Sequence, residues 1–457
     1  MGFKRETIEK WSILYALFCP FVRLSFKTYF RINKHNYKNV PKDEILVFAS
    51  NHHNALMDAL VFVATTKGQH VFLGRSDIFN KYIIRKLLTF IKMLPIFRIR
   101  DGKENLINNN PIFNKTIDVL KAKRGLVIMP EGNHSKYRRL RTLKKGISRI
   151  VFLAEETNNF NLNIKIIPVG LDYSNFIDFR SKLFINYGKP INVSDFYDIY
   201  KDNNPQGMNL LRMKLSEEIK KLIIHIESEE FYDMQYSLCK DFAPDMAEYI
   251  NLKTNSTYSK FVAEKKIITV LDNLIENNIN KAKKLNNLYK SYYSKLRDFN
   301  FTNSFLRKGY YSIFSLLVQS IISIIMLPIA IYGLINNIFS YKIPVWITRL
   351  VKDSQFVCTF RFAIMLFTFP LFYIIQTLVF YFIFKDISIT FLYFISLPIT
   401  GFFSYNYFVS CKKLFSKWKF LYLKLTKNST FALLNKEFDK LNYELRNIFE
   451  NYFKEEF

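Results

Sequence analysis

Residues 45–58 read ILVFASNHHNALMD, and their interpretation decides the fold. The first five, ILVFA, form a short β-rich run bounded by polar residues. The polar loop SNHHN follows, and an apolar helical stretch begins at once, with Asn51 or Asn54 placed to cap it. Working outward, similar runs recur at HVFL (70–73), LVIM (126–129), IKIIPVGL (164–171) and LFINY (183–187), separated by helical stretches such as 111–124 and 143–157. This alternation predicts an α/β domain with a mainly parallel central sheet. Active sites in such sheets form beyond the carboxyl ends of the strands, where the two histidines fall.

Four short motifs carry chemistry. In the first, four residues separate His53 from Asp58. On a continuous helix that step turns the side chains ~140° apart, so they meet only if His53 sits on the loop and Asp58 in the first turns of the helix. A carboxylate on one imidazole nitrogen fixes the tautomer and leaves the other nitrogen basic. His52 is read as structural, pointing away. The second motif, LVIMPEGNHS, sets Pro130, Glu131, Gly132, Asn133, His134 and Ser135 after a strand end, with a carboxylate and backbone N–H groups at the sheet edge. The third, LPIFRIRDG, puts Arg98 and Arg100 on one side of an extended chain, and guanidinium forks suit phosphate. The fourth, IIPVG, ends a strand in a proline turn and says little alone.

Taken in order, the four resemble the blocks of the glycerolipid acyltransferase family that includes bacterial lysophosphatidate acyltransferase. Block one is His53 and Asp58, block two is PIFRIR ending in Arg100, block three is Met129 to Ser135, and block four is Ile167-Pro168-Val169. The resemblance spans roughly residues 35–200. It implies that His53 is the general base, oriented by Asp58, and that His53→Ala abolishes transfer. It implies direct attack of an acceptor hydroxyl on an acyl thioester, acyl-CoA or acyl carrier protein, with no other cofactor. N–H groups near Gly132 would stabilise the oxyanion. Glu131, Arg98 and Arg100 would bind the polar head, with Gly132, Asn133, His134 and Ser135 around it. His134 stands where the family usually has Arg, and one of Arg138, Arg139, Arg141, Lys144 and Lys145 is expected to supply that cation. His52, His53, Asp58 and His134 also form a set able to hold zinc, but the resemblance implies no metal.

The whole chain has 457 residues and a net charge of +28, with 49% hydrophobic residues, which excludes a disordered polymer. Its four cysteines are far apart, which excludes a disulfide-stapled scaffold. Such basicity suits an anionic membrane surface or nucleic acid. Long uncharged runs favour the membrane, and no nucleic-acid partner is expected. Residues 1–35 read as an amphipathic membrane-associated helix, 36–204 as the acyltransferase domain and 205–309 as a charged helical arm. A membrane region follows over 310–411 and a basic amphipathic tail over 412–457. Within the membrane region 362–384 and 387–409 read as transmembrane helices. The positive-inside rule keeps all but the Lys385–Asp386 connector in the cytoplasm. That requires 311–340 to enter and return as a re-entrant or monotopic hairpin, broken at Pro328 and Gly333.

The expected function is a multi-pass enzyme of the cell inner membrane with a cytoplasmic catalytic domain, acylating a membrane lipid acceptor of the lysophosphatidate type. Glycerol 3-phosphate and a lyso-aminolipid are the alternative acceptors. A non-enzymatic basic membrane or nucleic-acid-binding protein is the alternative of another class.

Overall fold

The strand at 45–49 does sit at the heart of the sheet. The computed structural model describes residues 7–98, 109–253 and 256–456. Its strands are β1 (Arg31–His35), β2 (Leu46–Ser50), β3 (Val71–Arg75), β4 (Met93–Ile96), β5 (Leu126–Ile128), β6 (Lys165–Tyr173), β7 (Lys182–Tyr187) and β8 (Ile191–Asn192). They form one sheet in the order β1-β7-β6-β2-β5-β3-β4, with β8 also paired to β6. All pairings are parallel except those of β6 with β7 and β8. β2 lies between β5 and β6, with Phe48 beside Val127 and Ile167. The loops leaving β2 and β5 therefore emerge side by side at one sheet edge, and the Ser135 N–H donates to the His52 carbonyl at 3.1 Å.

Helices cover both faces. They are α1 (Ile13–Tyr29), α2 (Ala55–Thr65), α3 (Tyr82–Phe90), α4 (Asn109–Lys121), α5 (Gly146–Glu156), α6 (Tyr197–Asp202) and α7 (Asn204–Leu222). Val47 and Ala49 share a core with Ile117 of α4, Val151 of α5 and Leu215 of α7. Phe48 points the other way, as strand alternation requires, and meets Phe62 of α2 with ring centroids 5.4 Å apart.

Two domain boundaries move. Residues 7–225 and 348–366 belong to one compact unit, and 226–347 with 367–456 to a second. α7, expected at the start of the arm, packs on the sheet: Leu211, Leu215 and Ile219 are buried, and a Cβ on Gly170 of β6 would lie 2.1 Å from the Leu222 carbonyl oxygen. Its polar face reads as an arm helix; its buried stripe is only three side chains wide. The first 35 residues are not a separate element either, because β1 pairs in register with Lys182–Asn186. α1 buries Tyr15, Cys19, Val22, Phe26 and Tyr29 while Trp11, Leu14, Leu17, Phe21 and Leu24 stay exposed.

The second unit is helical: α8 (Tyr232–Tyr249), α9 (Thr257–Asn277), α10 (Ile279–Asp298), α11 (Asn303–Lys308), α12 (Ile313–Ile347), most of α13 (Ser354–Phe384), α14 (Ile387–Leu425) and α15 (Ser429–Glu456). α12, α13 and α14 are each long and apolar enough to cross a membrane. The expected break inside 311–340 is absent, and α12 runs unbroken through Pro328 and Gly333. Gly333 serves close packing instead, since a Cβ there would lie 2.1 Å from the Thr400 carbonyl oxygen of α14. Pro328 removes one helical N–H, but α14 braces the chain on both sides of it. Tyr407 donates to the Ser323 carbonyl at 2.8 Å and Ser404 to the Ala330 carbonyl at 2.8 Å. The first turns of α13 belong to the sheet unit, where Phe362 stacks edge-on against Phe26 and Tyr29 of α1.

Candidate active site

Asp58 sits in the first turns of α2 and is fully buried. Its Oδ2 accepts three hydrogen bonds at 2.8 Å, from the His52 ring at Nδ1 and from the N–H groups of His53 and Asn54. Its Oδ1 accepts the Tyr173 hydroxyl of β6 at 2.8 Å. Three successive residues converge on one oxygen because Ala55 takes the left-handed region, with φ +42°. Burial pushes the Asp58 carboxyl up, but the His52 bond and the other donors outweigh it and hold its pKa below the usual value. An ionised Asp58 puts the His52 proton on Nδ1 and leaves Nε2 as the basic nitrogen.

The expected ring contact between His53 and Asp58 is not made. The His53 ring is buried, with Nδ1 2.8 Å from the Ser135 carbonyl oxygen. Burial brings its pKa down to about 4, so it is a neutral residue tying the two loops together. Only its backbone N–H serves Asp58. The reason is local: the left-handed residue at 55 adds a turn between loop and helix, and consecutive side chains in an extended loop point oppositely. It is the His52 ring, not that of His53, that meets Asp58.

The block-three loop mixes positioning residues with lining residues. Glu131, expected to bind the polar head, is 1% exposed and accepts the His52 N–H at 2.8 Å and the Arg141 N–H at 2.9 Å. Burial raises its pKa to about 7 against the pull of those two donors. It positions the backbone of His52. Gly132 occupies φ +69°, where a side chain is strained, and its N–H donates to the Met129 carbonyl at 3.1 Å instead of facing an oxyanion. Ser135 spends its backbone on His52 and His53 and its hydroxyl on the Tyr137 N–H at 3.2 Å. Arg138 does not replace the missing cation: it is buried, ion-paired with Asp172 and bonded to the Tyr173 carbonyl. Arg139 is half-buried and its N–H donates to the Tyr137 carbonyl at 2.9 Å.

Asn133 and His134 do line a cavity of about 540 Å³, together with Arg75, Asp77, Arg98, Asp353 and Gln355. Arg98 is one of the lining residues, whereas Arg100 falls outside the described residues. Arg75 pairs with Asp77 at 2.5 and 3.1 Å, and Arg98 reaches Asp77 at 3.8 Å. The His134 ring centroid is 5.5 Å from that of His52, edge to face, and joins the cavity to the imidazole pair. Burial lowers the His134 pKa despite the nearby Asp353 carboxylate, whose Oδ2 is 3.6 Å from Nε2.

Several site residues had no local signal. Tyr173, Asp353 and Gln355 lie far from block one in sequence and meet it only in the folded sheet unit. Arg75 ends β3, and its position at a strand's carboxyl end was the available clue. Asn51, expected as a candidate cap, instead ties the end of β2 to β6, its amide donating to the Leu171 carbonyl at 2.9 Å and accepting the Leu171 N–H at 2.7 Å.

Residues 31–172 match the family model described as Acyltransferase. Glycerol-3-phosphate O-acyltransferase 2 of Saccharomyces cerevisiae is 29% identical over 114 residues, covering 25% of this chain. The chain spans only 15% of that protein's length. The crystal structure of the 1-acyl-sn-glycerophosphate (LPA) acyltransferase PlsC from Thermotoga maritima aligns with a TM-score of 0.34 at 15% identity, over 48% of this chain and 83% of that one. The four blocks all fall within residues 31–172, the stretch that this family model matches.

Proposed function

We propose that the chain transfers a fatty acyl group from acyl-CoA or acyl carrier protein to a hydroxyl of a glycerol phosphate acceptor, at a membrane, in phospholipid biosynthesis. His52 Nε2 takes the proton of the acceptor hydroxyl as its oxygen attacks the thioester carbonyl. The ester C–O bond forms, the C–S bond breaks, and the imidazolium returns the proton to the departing thiolate. Asp58 holds the ring and stabilises the imidazolium. Arg75 and Arg98 bind the phosphate. The observation that carries this reading is the His52–Asp58 pair, set beside a cavity bearing two arginines.

Within that reading the acceptor is glycerol 3-phosphate ahead of lysophosphatidate. Every described residue lining the cavity is polar or charged, which suits a small phosphorylated polyol better than one carrying an acyl chain. The Saccharomyces cerevisiae relative bears the name of that activity. The three apolar helices and the charge of +28 support work at an anionic membrane surface, with the catalytic domain on its cytoplasmic side. A non-enzymatic basic binder leaves the half-buried His52 imidazole and its buried Asp58 carboxylate without a role.

The test is a pair of single variants, assayed in detergent with labelled acyl donors. His52→Ala is expected to cut turnover by at least ~10²–10⁴ with little change in unfolding temperature. His53→Ala is expected to lower the unfolding temperature while leaving measurable transfer. Full activity in His52→Ala would remove the base from this mechanism.

A further inference from the structure

One part of the cavity wall comes from far along the chain. Asp353 immediately precedes α13 and Gln355 lies in its first turn, both within the sheet unit. Asp353 is fixed by its own helix. Its Oδ1 accepts the Gln355 N–H at 3.0 Å and its carbonyl accepts the Phe356 N–H at 3.0 Å, so it caps the first turn of α13. Its Oδ2 is thereby aimed at His134 Nε2, 3.6 Å away. The His134 ring is held in turn by Phe356, edge to face at 5.0 Å.

A carboxylate set in a phosphate-binding cavity is a liability unless it has a task. Asp77 has one, because it ties Arg75 to Arg98. Asp353 faces a buried imidazole across a gap too long for a hydrogen bond. A hydroxyl oxygen placed to one side of the pair, about 2.8 Å from each atom, reaches both. It accepts from His134 and donates to Asp353, which satisfies both. We propose that the Asp353–His134 pair reads a second, non-reacting hydroxyl of the acceptor, so that the site selects a phosphorylated diol over a phosphorylated mono-alcohol. This rests on the acyl-transfer reading above and adds its specificity determinant. The pair also explains why His134 stands where the family usually has Arg: a neutral imidazole serves a hydroxyl, whereas the phosphate is left to Arg75 and Arg98.

The experiment compares two acceptors, glycerol 3-phosphate and 3-hydroxypropyl phosphate. The second keeps the primary hydroxyl and the phosphate and lacks only the hydroxyl between them. With purified full-length protein and acyl-CoA or acyl carrier protein as donor, wild type is expected to favour glycerol 3-phosphate in kcat/KM by about tenfold or more, the worth of a hydrogen bond to a charged group. Asp353→Ala should lower the glycerol 3-phosphate value by a similar factor and leave 3-hydroxypropyl phosphate within about twofold. Asp353→Asn keeps a good helix cap and should shift discrimination in the same direction, which separates the role from folding. Equal losses on both acceptors, or wild type that treats them alike, would overturn the hydroxyl-reading role while acyl transfer stands. No transfer to either acceptor by wild type would overturn glycerol 3-phosphate as the acceptor and this proposal with it, while transfer to lysophosphatidate in the same assay decides whether the acyl-transfer reading stands.

Discussion

Asp58 gathers three donors on one oxygen and a fourth on the other, so its removal disturbs more than a charge. Asp58→Asn places an amide among donors and favours the wrong His52 tautomer. A fall in turnover of up to about 10⁴ is expected, read from initial rates at saturating acceptor. Ala55 stores strain in the same loop, of the order of 1–2 kcal/mol for a left-handed non-glycine residue. Ala55→Gly is therefore expected to keep or raise thermal stability, whereas Ala55→Val should lower it and loosen the pair. pH acts here too. His53 and His70 are buried with pKa values of about 4. Protons enter the unfolded chain at these residues first, so their contribution is present above about pH 6.5 and is lost as pH falls toward 4. Glu131, raised to about 7, works oppositely, losing stability as pH rises from its ordinary range through 7. His53→Gln should flatten the acid side of the curve of unfolding temperature against pH, and an unchanged curve would deny that His53 is buried neutral.

Elements are placed by narrow stripes of contact. α7 joins the sheet unit through a few side chains, and Leu215 is fully buried among them. Leu215→Ala is expected to cost about 2–5 kcal/mol, seen as a lower denaturation midpoint of the catalytic unit; an exposed arm helix would show almost none. α12 and α14 are joined by polar contacts inside apolar surfaces. Asn337 donates to the carbonyls of Gly333 and Leu397 at 2.9 and 3.1 Å. A side chain at Gly333 has no room against Thr400. Gly333→Leu should therefore separate the helices, measured as lost crosslinking between cysteines placed at 330 and 404.

Over the whole molecule, the chain leaves the sheet unit at residue 225 and rejoins it at 348. Among the described residues of that excursion, α12 is the single helix long and apolar enough to span. A chain that crosses once cannot return to a unit lying on one side. α12 is thus expected to enter the membrane without crossing it. A cysteine at Lys352 should react with an impermeant maleimide from the same face of sealed vesicles as one at Lys136. Labelling from opposite faces would rule this topology out.

From the sequence alone the α/β alternation is legible, because buried strands and amphipathic helices each leave a periodic trace in neighbouring residues. So are the four blocks and the apolar helices of the carboxyl-terminal half. Which histidine ring meets Asp58 is not, because the backbone path through the left-handed Ala55 decides it and local spacing does not record that path. Nor is the fate of Glu131 and Arg138, drawn as ligand contacts and buried as supports by Arg141, Asp172 and Tyr173. The cavity itself needs Arg75, Asn133 and Asp353, three residues brought together only when parallel strands align their carboxyl ends and a distant segment folds back onto them. Local order follows from nearest neighbours along the chain, while the chemistry depends on pairs that only packing of the sheet unit makes adjacent.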